Sequence, residues 1–421
     1  MVAGGLGLGR LADGRVALCE GALPGERVVL SLVDIRRDHV RGRVTEVLEA
    51  VAERVVPPCA EVARGCGGCT WQYVAPAAQP PLKATIVVDA FRRLGRLDVP
   101  VTVGPSPADP RRTTLRLAVD GEGRPSYRRR RGGGLLAVAS CQVVHPRLEE
   151  LVTGSRFPGA REVILRVGAA SGDRLAAPDR AGGRAEVPPD VAVARSAEAL
   201  PAVREQVAGR WWRVSATAFF QSGPGVAAEL VAAVDRAVGS AVGAGDLLLD
   251  LYAGGGLLGG VVAARRSARL VAVESDPVAA ADARANLVDL DARVIAGEVA
   301  PAADRDGGGP ADPGGSALGP SALGPPALGR SALGRWGVPA ALIADPARTG
   351  LGPSAVAAVA GLGAPRVVLV SCDPASMARD ARLLVDAGYT AVGAELVDAF
   401  PHTFHVEVVT RFDLGRSGDP G

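Results

Sequence analysis

The sequence contains a single lysine, Lys83, so its positive charge is almost entirely arginine. The formal net charge is only +2, which by itself argues neither for nor against a polyanionic partner. Arginine makes planar, bidentate phosphate contacts, so the scarcity of lysine leaves nucleic acid open. No run of 18 or more apolar residues is present, which excludes an ordinary membrane-spanning helix. No basic stretch followed by an apolar one opens the chain, so a cytoplasmic location is expected and no secretory leader. A phosphate-loop lysine is also missing, which argues against ATP as a ligand.

What is there divides into three grammars. Residues 1–56 read as short strands, 15–19, 26–33 and 40–47, punctuated by glycine and proline, and predict a small β-barrel. Residues 57–215 are mixed and predict a central α+β domain. They carry an alternating run at 115–120, an arginine block from Arg128 to Arg131, and a second alternating run at 211–215. The block reads as a solvated edge or turn. From about residue 216 apolar strands alternate with helix-like segments, which predicts a parallel, doubly wound sheet over 216–421. Residues 300–336 interrupt that pattern with Ser-Ala-Leu-Gly-Pro repeats and read as a flexible surface insertion.

Three of the six cysteines, Cys59, Cys66 and Cys69, fall within eleven residues, and Cys141 lies further on. In a cytoplasmic protein such clustering favours a metal or redox site over disulfides. Four soft thiolates suit zinc or an iron–sulfur cluster, and spacing alone leaves both open. Cys19 reads as an ordinary half-buried strand residue.

The run from Asp250 through Tyr252 to Gly254, Gly255 and Gly256 follows an apolar strand and precedes a helix-like stretch. Glycines there let the backbone turn sharply toward a ligand at a helix N-terminus. About twenty residues on, Glu274 ends the next strand, where an acid can bind a ribose hydroxyl pair. A nucleotide-type cofactor is therefore expected. Three further segments follow: Asp345 to Leu351, Leu369 to Pro374, and Asp398 to Glu407. The first two come just after predicted strands, where an open α/β sheet carries its ligand crevice.

On these motifs the chain resembles the RNA (uracil-5-)-methyltransferases, in particular members with an N-terminal TRAM domain and an iron–sulfur cluster. The resemblance covers nearly the whole chain outside the insertion. It implies a class I S-adenosylmethionine-methyltransferase, Rossmann-like sheet at the C-terminus, a TRAM/OB-like barrel at the N-terminus, and a mixed central domain. It implies S-adenosylmethionine as cofactor, contacted by Gln221, Tyr252, Gly254, Glu274, Glu298 and Asp345. It maps cluster ligands onto Cys59, Cys66, Cys69 and Cys141 and favours a 4Fe–4S centre over zinc. It makes Cys372, in the Ser-Cys-Asp-Pro motif, the nucleophile, and Glu407 the base that ends the reaction. Within the motif, Asp345 could instead meet the polar edge of the uracil, and Arg348 an enolate or phosphate. His402 and His405 are expected to shape their loop rather than transfer protons.

The chemistry fits those residue types. Carbon 5 of uracil is a poor nucleophile until a thiolate adds to carbon 6 and makes the ring an enolate, and cysteine both attacks and leaves well. Departures from the family pattern are Ala347 in place of a proline, Ala253 in place of a frequent cysteine, and Leu257 in place of a small or polar residue. The expected partner is RNA, ribosomal rather than transfer RNA, with no membrane and no obligate protein partner. A transfer-RNA methylase, a methylase of DNA bases or small molecules, and a non-catalytic RNA-binding module remain the alternatives.

Overall fold

The computed structural model describes residues 1–179, 184–195, 200–299 and 336–415. The repeats at 300–335 lie outside the described residues, so the expectation of a flexible insertion is not addressed. Strands β1 (Gly7–Arg10), β2 (Val16–Glu20), β3 (Arg27–Ile35) and β4 (His39–Glu49) form one sheet in the order β1-β2-β4-β3. Alternation in β2 buries Ala17 and Cys19 with Ala22 and Val40 in a small core. Register shifts along β3 mark bulges, which bend and twist a strand. Among the described residues no ladder joins the outer strands β1 and β3.

The segment read as a single central domain divides its allegiance. Strand β5 (Val101–Val103) leaves it and pairs in parallel with the far edge of the C-terminal sheet. The helix Gln79–Ala90 leads there, and Val87, Ala90 and Phe91 pack into that sheet's core. What stays behind is a six-stranded sheet of β6 (Thr114–Val119), β7 (Pro125–Arg128), β8 (Leu135–Leu136), β9 (Glu162–Val167), β10 (Arg174–Pro178) and β11 (Val191–Val193). The helix Pro146–Gly154 buries Leu148 and Leu151 against it. A hairpin of β12 (Ala202–Val207) and β13 (Arg210–Ser215) then joins the C-terminal core through Val203, Val207, Trp212 and Val214.

The C-terminal sheet contains β14 (Leu247–Leu251), β15 (Arg269–Glu274), β16 (Ala292–Ala296), β17 (Ala341–Ala344), β18 (Arg366–Ser371), β19 (Tyr389–Val397) and β20 (Glu407–Leu414). Its order is β16-β15-β14-β17-β18-β20-β19-β5. The ladders from β16 through β18 are parallel, and β20 runs antiparallel between β18 and β19. This is the doubly wound sheet expected from the strand–helix alternation. Apolar residues run continuously along its strands because both faces are covered. Leu248, Leu270, Ile343, Val368 and Val370 face one core, while Leu249, Val271, Leu342, Val367 and Leu369 face the other. The chain order reverses between β14 and β17, so the crevice at the strand carboxyl ends opens there. No helix among the described residues is long and apolar enough to cross a membrane.

Candidate active site

The glycine loop after β14 takes the shape its composition allows. Tyr252, Gly254 and Gly256 have φ of 59°, 54° and 84°, the left-handed region that glycine enters freely. The Glu274 carboxylate at the end of β15 accepts the Gly254 N–H at 2.8 Å and the Asp276 N–H at 2.7 Å. Glu274 thus fixes the loop. Within β14, Asp250 is buried and accepts the Gly259 N–H at 2.9 Å, while its second oxygen has no partner. Burial pushes its carboxyl up to about 7. Gly259 has to be small, because a Cβ there would meet Asp250 at 2.6 Å. A cavity of about 250 Å³ beside the loop is lined by Tyr252, Val273, Ser275, Gly297, Glu298 and Val299. Of the predicted cofactor residues, Tyr252 and Glu298 line that cavity, and Gly254 and Glu274 build its neighbouring loop.

Gln221 and Asp345 meet elsewhere along the same edge, Gln221 Nε2 donating to Asp345 Oδ2 at 3.5 Å. Asp345 follows β17 and is half-buried, and desolvation of its carboxyl drives the pKa up to about 7. Cys372 follows β18. The ladder between β18 and β20 ends with Ser371 opposite Val408, so Cys372 and Glu407 are each the next residue beyond that last pair. Burial pushes the Cys372 thiol up to about 11, the Glu407 and Asp345 charges add to this, and Arg348 opposes it. Burial likewise raises the Glu407 carboxyl well above its ordinary value, Asp345 reinforcing and Arg348 countering. Arg348 in turn donates to His405 Nδ1 at 3.2 Å. Cys372, Glu407, Asp345, Arg348 and Gln221 therefore form one cluster, adjoining the glycine loop.

The loop joining β19 to β20 is fastened by residues that the sequence did not single out. The Lys83 ammonium donates to Asp398 Oδ1 at 2.5 Å and to the Phe400 carbonyl at 2.7 Å. Gln79 Oε1 accepts the His402 N–H at 2.6 Å, and the Trp71 N–H donates to the His402 carbonyl at 2.7 Å. These partners lie more than 300 residues away in sequence, so no local pattern could reveal them. Phe404 joins Met1, Leu23, Trp71, Val74 and Ile86 in one apolar cluster, and a Cβ on Gly5 would meet the Phe404 Cβ at 2.5 Å and its ring at 2.7 Å.

Cys59, Cys66, Cys69 and Cys141 line a second cavity of about 420 Å³. All four sit on irregular backbone. Gln72 Oε1 accepts the Cys59 N–H, Glu149 that of Cys141, and the Gly67 N–H donates to the Arg128 carbonyl. The arginine block is not merely a solvated turn. Arg129 reaches the Arg64 carbonyl, Arg130 the Cys69 carbonyl, and Arg131 the Glu20 carboxylate of β2. Burial raises the Cys69 thiol to about 11, its hydrogen bond to Gln72 opposes this, and the neighbouring thiols add to the rise. Among the described residues no group of three or more His, Cys, Asp or Glu side chains is spaced to hold a metal ion.

No family model matches the chain. It is 31% identical to an uncharacterized RNA methyltransferase of Streptomyces avermitilis, over 99% of this chain and 96% of the relative. It is 29% identical to a 23S rRNA (uracil(1939)-C(5))-methyltransferase of Methylococcus capsulatus, over 95% of this chain and 93% of that one. The crystal structure of a Pyrococcus abyssi tRNA (uracil-54, C5)-methyltransferase with S-adenosyl-L-homocysteine superposes with a TM-score of 0.64. It covers 97% of this chain and 100% of its own at 21% identity, a likeness of fold.

Proposed function

This chain belongs to the RNA methyltransferase family, and we propose that it methylates carbon 5 of a uridine in structured RNA through a covalent cysteine adduct. The observation that carries the reading is the closeness of Cys372 and Glu407, each next to the last pair of the β18–β20 ladder, with Asp345 and Arg348 close enough to influence both. Nucleophile, base and a cation for developing negative charge then share one edge of the sheet.

S-adenosylmethionine supplies the electrophilic methyl group when bound. Tyr252, Gly254, Glu274 and Glu298 would hold its nucleoside end at the glycine loop, with Gln221 and Asp345 toward the reacting end. The Cys372 sulfur adds to carbon 6, and the ring electrons move onto the carbon 4 oxygen. Arg348 is the cation nearest to offset that enolate. Carbon 5 then takes the methyl group. Glu407 removes the carbon 5 proton, and the carbon 6–sulfur bond breaks to return the thiolate. Burial of Glu407 suits this work, because a carboxylate with a raised pKa is a stronger base near neutrality. The target uridine must be unpaired or flipped, since its reacting carbons are enclosed in a stacked helix.

For the second cavity we favour a 4Fe–4S cluster held by Cys59, Cys66, Cys69 and Cys141. Four thiols line about 420 Å³, a ligand set that an iron–sulfur centre or zinc accepts, and the resemblance to iron–sulfur methyltransferases favours the former. Methyl transfer needs no electron, so its contribution is to tie irregular backbone together. The whole-length relative acting on 23S rRNA supports ribosomal RNA as the target. Trapping on 5-fluorouridine RNA tests the reading. A denaturation-resistant complex that needs Cys372 is expected, formed with 23S rRNA fragments in preference to tRNA. Absence of any complex would overturn the mechanism, and preference for tRNA would overturn the target.

A further inference from the structure

The only lysine of the chain takes no part in the chemistry above. Lys83 is 0% exposed, and its ammonium serves Asp398 and the Phe400 carbonyl. A buried ammonium is costly unless paired and hydrogen-bonded. Burial draws its pKa down, and Asp398 opposes that. An apolar side chain would fill this place in the core without that cost. What the lysine does that an apolar residue could not is fasten two points of the loop 398–406.

Gln79, four residues earlier on the same helix face, fastens a third point at His402. His402 has φ +61°, an uncommon conformation for a residue other than glycine. Its N–H and carbonyl are both taken, by Gln79 and Trp71. Beyond it, Thr403 Oγ1 donates to the Phe400 carbonyl at 2.9 Å and accepts the His405 N–H at 3.2 Å. The Phe400 carbonyl therefore receives both Lys83 and Thr403. His405 ends this series by accepting from Arg348, which a neutral imidazole can do and a charged one cannot. Burial lowers the His405 pKa to about 4, with Arg348, Lys83 and Arg112 adding to the effect.

We propose that Lys83 is a positioning residue of the active site, acting through the loop 398–406 and His405 to hold Arg348 against Cys372 and Glu407. This rests on the roles given to those two side chains above. Lys83 lies in the helix that follows the cysteine segment, so it also ties the central part of the chain to the reacting edge.

The test compares wild type, Lys83→Met, and Lys83→Met with Asp398→Asn, which leaves no unpaired buried carboxylate. For each, melting temperature, S-adenosylmethionine Kd, RNA KM, kcat and the rate of trapping on 5-fluorouridine RNA are measured. Both variants should lose about 100-fold in kcat and in trapping rate, the scale of a small misplacement. Kd and KM should stay near wild type, and the double variant should regain melting temperature without regaining kcat. Recovery of kcat together with melting temperature would make Lys83 a stability residue only and overturn the proposal. So would a Lys83→Met kcat near wild type. If Lys83→Met does not fold, the double variant decides on the same criteria. Wild type that fails to trap would defeat the role of Cys372 before any lysine variant is read, and the proposal would fall with it.

Discussion

Two groups of side chains in this molecule are held by opposite means. At the carboxyl edge of the large sheet, Cys372 and Glu407 flank the last of six residue pairs in a regular ladder, and Asp345 closes the neighbouring strand. Around the second cavity, Cys59, Cys66, Cys69 and Cys141 stand on irregular backbone, braced by Gln72, Glu149 and the arginines of 128–131. A sheet register fixes which side chains oppose one another, since a slip of one residue turns each to the other face. Loop backbone has no such rule and depends on cross-links. The edge is therefore set by the sheet's own packing, while the cysteines depend on the bonds between distant segments.

The sharpest way to break this contrast is to remove the N-terminal sheet. As an RNA-binding appendage it would be separable, yet Met1, Leu23 and Gly5 pack on Trp71 and Phe404 beside the catalytic loop. Deleting residues 1–56 should lower kcat about 100-fold as well as weaken RNA binding, while S-adenosylmethionine affinity stays near wild type. Single-turnover rates at saturating RNA separate the two effects, and an unchanged rate would show that the docking has no catalytic consequence.

A smaller effect is expected from the cysteine side alone. Anaerobically purified wild type should be brown, with broad visible absorption. Cys69→Ser should bleach it, lower the melting temperature and spare S-adenosylmethionine binding, because the glycine loop belongs to the other sheet. Colourless wild type with stoichiometric zinc would sink the iron–sulfur assignment.

The smallest effect sharpens the sheet side. Asp250 is fully buried and its carboxyl rises from 3.8 to about 7. The native state therefore binds more protons than the unfolded chain between those values, and stability falls as pH rises through that window. Asp250→Asn removes this contribution. The variant should lose part of the decline in melting temperature between about pH 4 and 7, and gain relative to wild type at pH 8. A parallel pH profile in the two proteins would show that Asp250 is not responsible.

These regions were also unequally legible in the sequence. The sheet announced itself because β14, β15, β17 and β18 are mostly apolar, and because Gly254, Asp345 and Cys372 each follow a strand end. The cysteine spacing was equally plain. Lys83, Gln79 and Trp71 were not, because their partners at 398–402 come from the other end of the chain. The departure of β5 to the far sheet was hidden for a similar reason, since three residues carry too little pattern to name their partner. The arginine block looked solvated because composition does not reveal that Arg129 and Arg130 bond to carbonyls in the cysteine segment.

The central claim is that Cys372 opens the reaction and Glu407 closes it. Glu407→Gln keeps the shape and removes the basicity, so the most direct measurement mixes this variant with ordinary uridine RNA and labelled S-adenosylmethionine. A denaturing gel then follows both label and RNA. The expected result is a methylated protein–RNA adduct that accumulates because the carbon 5 proton stays in place, and that vanishes when Cys372→Ala is added. Wild-type turnover by Glu407→Gln, or methylation surviving in Cys372→Ala, would contradict it.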